Sequence, residues 1–264
     1  MDANQPIGVF DSGVGGLSVL REIRALLPYE ELLYVADSAH VPYGNKSPAY
    51  IEARSLALSE FLLGQGAKAI VVACNTATAA AVATLRARLP VPIVGMEPAV
   101  KPAVNATRSG VVGVLATVGT LASSKFAALL GRYSGHARIV VQPCPGLVEQ
   151  VELGDLTSER TQSLVRSYVF PLIEQGADTI VLGCTHYPFL RPLIQEIAGS
   201  DVTLIDTGAA VARQLVRRLE ESAGLCPPRT AGEQFWTSGE LAALQVALHS
   251  LWSETAISQA LPKE

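Results

Sequence analysis

The sequence lacks the features that mark several large classes of protein. Its 264 residues carry a net charge of -4 and show no basic patch, so nucleic acid is not expected as the main partner. The most hydrophobic uncharged stretch, residues 69–85, contains four Asn or Thr residues and is shorter than the roughly 20 residues that span a bilayer. We therefore expect neither a nucleic-acid-binding protein nor a membrane protein.

Cysteine is too scarce and too widely spaced for a disulfide-stabilised secreted fold. The chain has four cysteines, Cys74, Cys144, Cys184 and Cys226, and none of them forms a C-x-x-C motif. Residues 1–10 lack the basic region and apolar core of a secretory signal. These absences predict a cytoplasmic protein with free thiols.

Sequence motifs for common cofactors are missing as well. Gly13, Gly15 and Gly16 follow an apolar segment, but they lack the G-x-G-x-x-G spacing of dinucleotide-binding proteins, and no Gly-Lys-Ser/Thr phosphate loop follows. The four histidines lack the spacing of metal ligands, and no pyridoxal-binding lysine motif is recognisable. We expect no cofactor and no metal.

What the sequence does contain is a repeat centred on two of its cysteines. Residues 65–76 read QGAKAIVVACNT and residues 175–186 read QGADTIVLGCTH, so that Cys74 and Cys184 each end a short apolar run. Such runs predict strands buried on both faces of a parallel sheet, and ligands bind at the carboxyl ends of such strands. If the repeated halves face each other, the two thiols meet across one cleft.

The alternation of apolar runs and helical periodicity predicts an α/β fold of two similar parallel-sheet domains. We expect them to be related by pseudo-twofold symmetry, with the active site in the cleft between them. The predicted first domain is discontinuous, residues 1–97 plus 208–264, and the second comprises residues 98–207. A second echo favours a duplication, because GVFDSGVGG near the N-terminus and GVLATVGT in the second half both precede a leucine-led helix.

Two individual helices are also expected. The pattern predicts one helix over residues 49–63, closed by Gly64 and Gly66, and a helical region over residues 147–175 that breaks near Gly154.

The two repeated cysteines are candidates for acid–base chemistry. Each lies between a strand and a helix, where a helix N-terminus lowers the pKa of a thiol, and each is followed by polar residues. Two thiols on opposite sides of a carbon can remove a proton from one face and return it to the other. The alternative is that each cysteine is a small buried hydrophobic residue.

Two further residues lie where they can reach the same cleft. Asp11 follows the first strand in a glycine-rich turn, although it can equally serve in helix capping, for which Ser12 is the better candidate. His186 lies two residues beyond Cys184 and is either a partner of the thiol or a hydrogen-bonded turn residue.

Several segments resemble glutamate racemases, a family within the wider cofactor-independent aspartate/glutamate racemase group. They are FDSGVGGLSVL (10–20), VPYG (41–44), ACNTATA (73–79), LVEQVELG (147–154), GCTHYPFL (183–190) and FWTSG (235–239). The resemblance implies a two-base mechanism in which Cys74 and Cys184 are the catalytic pair. It further implies that Asp11 assists Cys74 and His186 assists Cys184, with Asp37 and Glu152 as secondary polar groups.

The resemblance also implies a set of substrate contacts and a biological setting. The contacts are Asp11, Ser12, Tyr43, Gly44, Asn75, Thr76, Thr117, Thr120, Thr185 and His186. The implied substrate is glutamate, the implied product D-glutamate for bacterial cell-wall (peptidoglycan) synthesis, and the implied assembly a homodimer.

Three alternatives to a glutamate racemase stay open at this point. The first is an aspartate racemase or a related racemase of the same family, because spacing does not measure pocket length. The second is a hydrolase with Cys184 as nucleophile and His186 as base, although residues two apart at a turn are expected to share a proton poorly and Cys74 is left unexplained. The third is a non-catalytic amino-acid-binding protein.

Overall fold

Strands and helices alternate along the chain in the computed structural model, which describes residues 2–133 and 135–262. The strands are β1 (Ile7–Asp11), β2 (Leu32–Ala36), β3 (Ala69–Val72), β4 (Ile93–Val94), β5 (Val111–Ala116), β6 (Arg138–Pro143), β7 (Thr179–Leu182), β8 (Thr203–Ile205), β9 (Glu233–Thr237) and β10 (Ser258–Ala260). The helices are α1 (Leu17–Leu26), α2 (Pro48–Gly64), α3 (Asn75–Arg88), α4 (Val100–Ala106), α5 (Val118–Leu121), α6 (Ser124–Tyr133), α7 (Leu147–Glu152), α8 (Glu159–Glu174), α9 (Arg191–Ala198), α10 (Gly208–Glu220) and α11 (Leu241–Leu251).

The strands form two parallel sheets with a shared order. The first sheet runs β10-β9-β2-β1-β3-β4 and the second runs β6-β5-β7-β8, and neighbouring strands pair in parallel throughout. In each half, the first strand along the chain lies between the second and the third strand, and the fourth strand lies beyond the third. The predicted α/β class with two similar parallel sheets is confirmed, whereas the predicted domain boundaries stay a prediction.

The two strands that carry the repeat, β3 and β7, and the central strand β1 are buried along their whole length. Every residue of β1, β3 and β7 is buried, because helices cover both faces of these central strands. This burial explains why their sequences are continuous apolar runs rather than alternating patterns. The edge strand β6 instead includes exposed positions.

Local signals predicted two helices close to their observed bounds. Helix α2 begins after Ser47, whose side chain accepts a hydrogen bond from the Tyr50 N–H at 3.3 Å, and it ends shortly before Gly66, which has a φ of +86°. The region over residues 147–175 forms two helices rather than one, α7 and α8, and the break at Gly154, with a φ of +71°, is where the sequence placed it.

No helix among residues 2–133 and 135–262 is both long and apolar enough to cross a bilayer.

Candidate active site

One cavity lies where residues from the carboxyl ends of both sheets meet. The turns after β1, β2 and β3 contribute Ser12, Tyr43, Gly44, Cys74, Asn75 and Thr76, and the turns after β5 and β7 contribute Thr117, Thr120, Cys184, Thr185 and His186. Both repeated cysteines therefore line the same space. The cavity volume is about 10 Å³, roughly room for a single water molecule, so the walls are nearly closed on each other.

Cys74 is a buried thiol at the start of helix α3. Its Sγ accepts a hydrogen bond from the Ala77 N–H at 3.4 Å and lies 3.9 Å from Ser12 Oγ. Burial and the negative charge of Asp11 raise the pKa of Cys74 well above its usual value, and the hydrogen bond from Ala77 only partly opposes this. The helix N-terminus acts in the expected direction, but burial outweighs it, so Cys74 carries its proton at neutral pH.

Cys184 is in contact with a charged imidazole. Its Sγ lies 3.6 Å from His186 Nδ1, and His186 Nε2 lies 2.6 Å from Glu152 Oε1. Burial alone would lower the pKa of His186, but its hydrogen bonds to Cys184 and Glu152 raise that pKa well above the usual value. His186 is therefore an imidazolium placed between a sulfur atom and a carboxylate.

The contact between Cys184 and His186 corrects one expectation. Two residues two apart at a turn were expected to share a proton poorly, yet their side chains lie within reach of each other. The reason is that His186 has a right-handed helical backbone, with φ -75° and ψ -32°, at the start of a 3-10 turn over Tyr187–Leu190. This backbone turns the imidazole back toward the end of β7.

The glycine-rich turn between β1 and α1 packs closely against Glu152 and His186. A Cβ atom on Gly13 would lie 1.9 Å from Glu152 Oε1, and one on Gly15 would lie 2.3 Å from His186 Nδ1. The Val14 N–H, between the two glycines, donates a hydrogen bond to Glu152 Oε1 at 2.8 Å. The turn is thus a close-fitting cradle for a carboxylate and an imidazole rather than a nucleotide-binding loop.

Asp11 holds this turn and reaches the second sheet. Its Oδ1 accepts a hydrogen bond from the Ser12 N–H at 2.7 Å, and its Oδ2 accepts one from the Gly16 N–H at 2.7 Å and one from Thr185 Oγ1 at 3.2 Å. The carboxylate is completely buried, and burial raises its pKa while the charge on His186 lowers it. Asp11 therefore organises the turn before α1 and also contacts the Cys74 thiol, although it does not line the cavity, and Ser12 provides no side-chain cap for that helix.

Asp37 does not line the cavity either. Its carboxylate accepts hydrogen bonds from Tyr43 Oη at 2.5 Å and from Arg54 at 3.1 Å (Nε) and 2.9 Å (a terminal guanidinium nitrogen). Arg54 was not singled out in the sequence, since a lone arginine in a helix gives no local signal.

Three threonines form a cluster in the cavity wall. Thr76 Oγ1 lies 3.0 Å from Thr117 Oγ1 and 3.1 Å from Thr120 Oγ1, and the last two lie 3.0 Å apart. Within the described part of the chain, the amide oxygen and nitrogen of the buried Asn75 side chain have no hydrogen-bond partner. Buried polar atoms are normally paired, so the Asn75 amide is available to a polar ligand.

Most of the expected site residues come together here, and a few others join them. Glu152 contacts His186 and Asp37 contacts Tyr43, but neither carboxylate lines the cavity. Pro42 and Val148 line the cavity, although the sequence did not indicate them as site residues. All four cysteines are free thiols, as predicted. Over residues 2–133 and 135–262, no group of three or more His, Cys, Asp or Glu side chains is arranged to hold a metal ion.

The chain is similar to known racemases over nearly its whole length. The sequence model of the Asp/Glu/Hydantoin racemase family matches residues 7–215. The chain is 61% identical over 252 residues to the glutamate racemase of Ectopseudomonas mendocina (strain ymp), covering 95% of this chain and 96% of that protein.

Two solved structures show the same fold. The structure of glutamate racemase isoform RacE1 from Bacillus anthracis superimposes with a TM-score of 0.88 at 33% identity, covering 98% of each chain. The structure of Escherichia coli glutamate racemase in complex with L-glutamate and the activator UDP-MurNAc-ala gives a TM-score of 0.86 at 32% identity, covering 98% of this chain and 100% of that one.

Proposed function

The chain belongs to the Asp/Glu/Hydantoin racemase family, and we propose that it interconverts L- and D-glutamate by proton transfer at the α-carbon between Cys74 and Cys184. The racemase activity follows from this membership and from relatives that are about 60% identical over nearly their full length. Glutamate is favoured as substrate because those relatives are glutamate racemases and because the similar E. coli enzyme binds L-glutamate. The observation that carries the two-cysteine mechanism is that both thiols line one cavity from opposite sheets.

The charges of the site suit one thiolate and one thiol. The raised pKa of His186 keeps a positive charge 3.6 Å from the Cys184 sulfur, where it can balance a negative charge on that atom. Burial and the charge of Asp11 raise the pKa of Cys74, which keeps that residue protonated. In this state Cys184 removes the α-proton and Cys74 donates a proton to the opposite face, and the reverse reaction exchanges the two roles.

Removing an α-proton requires stabilisation of a carbanion-like state, because this proton is a very weak acid. Preformed donors in a water-poor site can supply that stabilisation. The unpaired amide of Asn75 and the hydroxyls of Thr76, Thr117 and Thr120 are such donors. These groups are assigned to the binding of the substrate's charged ends, with no cofactor or metal required.

A glutamate molecule needs far more space than the cavity offers. With a volume of about 10 Å³ between the sheets, the two halves have to separate before the substrate enters and close again around it. Closure of this kind would exclude water from the two thiols during proton transfer.

One observation supports the hydrolase alternative and another opposes it. The contact between Cys184 and His186 resembles the nucleophile–base pair of thiol hydrolases. It gives no role to Cys74, however, whose sulfur lines the same cavity from the other sheet. A non-catalytic binding protein would need neither thiol.

The test follows deuterium at the α-carbon of glutamate in heavy water. We expect the wild type to convert either enantiomer and to label the inverted product without an added cofactor. Cys74→Ala and Cys184→Ala should each lower racemisation about 10²–10⁴-fold, the usual contribution of one positioned acid–base group. Cys226→Ala is the matched control, because this buried cysteine lies outside the cavity, and it should retain activity.

Other outcomes of this experiment identify the alternatives. Full activity in either cysteine variant would end the two-base mechanism. Release of ammonia or trapping of an acyl-enzyme would indicate a hydrolase, and absence of label would indicate a binding protein. Faster turnover of aspartate than of glutamate would assign the enzyme to the other substrate of the family.

The resemblance extends the proposal to the setting of the enzyme. The D-glutamate would be used in peptidoglycan synthesis in the cytoplasm, and the active assembly would be a homodimer. Growth of a D-glutamate auxotroph on expression of the chain tests the first point. Sedimentation of the purified protein tests the second, for which a monomer at all concentrations would be the contrary result.

A further inference from the structure

Arg54 forms a bidentate ion pair with Asp37, a buried residue that is hydrogen-bonded to the cavity-lining Tyr43. It lies on helix α2, and its guanidinium donates to Asp37 Oδ2 at 3.1 Å and to Asp37 Oδ1 at 2.9 Å. The Asp37 side chain is completely buried, and that of Arg54 is only 16% exposed. A bidentate pair of this kind fixes both partners in orientation as well as distance.

The same carboxylate holds the wall of the cavity. Tyr43 Oη donates to Asp37 Oδ2 at 2.5 Å, and Tyr43 lines the cavity whereas Asp37 does not. Tyr43 is 1% exposed and begins a 3-10 turn over Tyr43–Asn45. The position of this turn therefore depends on where Asp37 holds the tyrosine hydroxyl.

On its other side the turn touches the second half of the molecule. A Cβ atom on Gly44 would lie 3.1 Å from Thr117 Cβ, and one on Gly119 would lie 2.8 Å from Gly44 O. The segment over residues 41–45 is thus held between helix α2, through Arg54 and Asp37, and the turn that follows β5. It forms a side of the cavity at which the two halves must separate and close.

Building on the proposed racemase function, we propose that Arg54 is a positioning residue for substrate binding, which acts through Asp37 and Tyr43 on the cavity wall at residues 42–44. Without the guanidinium, the fully buried Asp37 carboxylate loses its bidentate cation and keeps only the Tyr43 hydroxyl and His40 Nε2, which lies 3.9 Å from its Oδ1. Weaker pairing of a buried charge is costly, and the segment relieves that cost by moving so that Asp37 reaches water. Arg54 touches neither thiol, so the loss falls on substrate binding rather than on proton transfer.

The first test compares steady-state kinetics of Arg54→Met with those of Arg88→Met, a matched control at an exposed position on α3. Arg54→Met should raise KM for D-glutamate at least about tenfold, as expected for loss of a hydrogen bond to a charged group, with kcat changed less than about threefold. Arg54→Lys keeps the charge but not the fork and should give an intermediate KM. This second variant also carries the test if Arg54→Met does not fold.

A double-mutant cycle shows whether Arg54 acts through Asp37. If it does, Arg54→Met combined with Asp37→Asn should raise KM no further than the larger of the two single changes. Tyr43→Phe, which removes the hydroxyl that Asp37 accepts from, should raise KM in the same way. Additive effects of Arg54→Met and Asp37→Asn, or an unchanged KM in folded Arg54→Met and Arg54→Lys, would overturn the proposal.

An activity-independent measurement separates this proposal from the proposed function. Amide hydrogen exchange over residues 41–45 should speed up in Arg54→Met and stay at the wild-type rate in Arg88→Met. A wild type that does not racemise glutamate contradicts the proposed function, whatever the exchange shows. An active wild type whose residues 41–45 exchange at the same rate in Arg54→Met contradicts the role of Arg54 alone.

Discussion

At the scale of single residues, the site depends on one imidazole that is charged because of its two neighbours. His186 is 1% exposed, an environment that by itself favours the neutral form. Its contacts with Glu152 at 2.6 Å and with Cys184 at 3.6 Å reverse that preference and raise its pKa. Glu152 therefore helps to keep a positive charge next to the Cys184 thiol.

This arrangement predicts how Glu152→Gln alters the pH dependence of stability. The pKa of His186 is higher in the folded protein than the value of about 6.5 in an unfolded chain, so its contribution is complete below about pH 6.5 and is lost as pH rises through the folded value. Glu152→Gln removes one of the partners that raise this pKa. The free energy by which the wild type exceeds the variant should thus shrink from pH 6 toward pH 9.

Urea unfolding of both proteins across that range is the measurement. Glu149→Gln, at an exposed position on the same helix, is the control and should follow the wild type at every pH. Parallel curves for the wild type and Glu152→Gln would show that Glu152 does not hold the proton on His186.

At the scale of an element, the turn from β1 to α1 is shaped by what packs against it. Gly13 and Gly15 have no room for a side chain, because Glu152 and His186 occupy the space where their Cβ atoms would be. Asp11 ties the same turn together through the Ser12 and Gly16 N–H groups. The glycines are thus required by close approach of the second half rather than by the local backbone.

We expect Gly13→Ala to disable the enzyme and Gly64→Ala to leave it intact. The new methyl group at position 13 displaces the Glu152 carboxylate and with it His186, which should lower kcat/KM about 10²-fold, the usual cost of misplacing a group by about 1 Å. A Cβ atom at Gly64, the last residue of α2, meets nothing within 4 Å. Kinetics and thermal unfolding of both variants decide the point, and an active Gly13→Ala enzyme would contradict it.

At the scale of the whole molecule, two sheets of the same strand order present their carboxyl ends to one narrow cavity. Each contributes one cysteine, from the turn after β3 and the turn after β7. Hydrogen bonds such as that from Thr185 to Asp11 and the contacts among Thr76, Thr117 and Thr120 join the halves around the cavity. The Val14 N–H and Ser18 Oγ add hydrogen bonds to Glu152 and to Thr185 O, and one cluster of buried apolar side chains includes residues of both sheets, so the proposed opening would have to disturb these contacts as well.

Alkylation of the thiols measures this opening. Iodoacetamide should modify Cys74 or Cys184 only when the halves separate, so modification should be slow, and D-glutamate at ten times its dissociation constant should slow it about tenfold further. Cys226 is buried and does not line the cavity, so it serves as the internal control in the same mass spectra. Equal rates with and without D-glutamate would contradict closure around the substrate.

Much of this architecture was predictable because the signals are local. The continuous apolar runs of β3 and β7 predicted buried parallel strands, Gly64 and Gly66 predicted the end of one helix, and Gly154 predicted a break in another helical region. The positions of Cys74 and Cys184 after equivalent strands followed from the repeat. Arg54 and Val148 carry no such local signal, and they were found only once their contacts were known.

The sequence by itself determined which segments become strands and helices and which polar residues follow each strand, because hydrophobic periodicity and turn residues act within a few positions. Only the tertiary structure decided that Glu152 lies against Val14, 138 residues away, and that His186 is charged while Cys74 keeps its proton. Those properties depend on burial and on the charges that a second sheet brings close. No local pattern encodes either, since both arise from how the two halves pack.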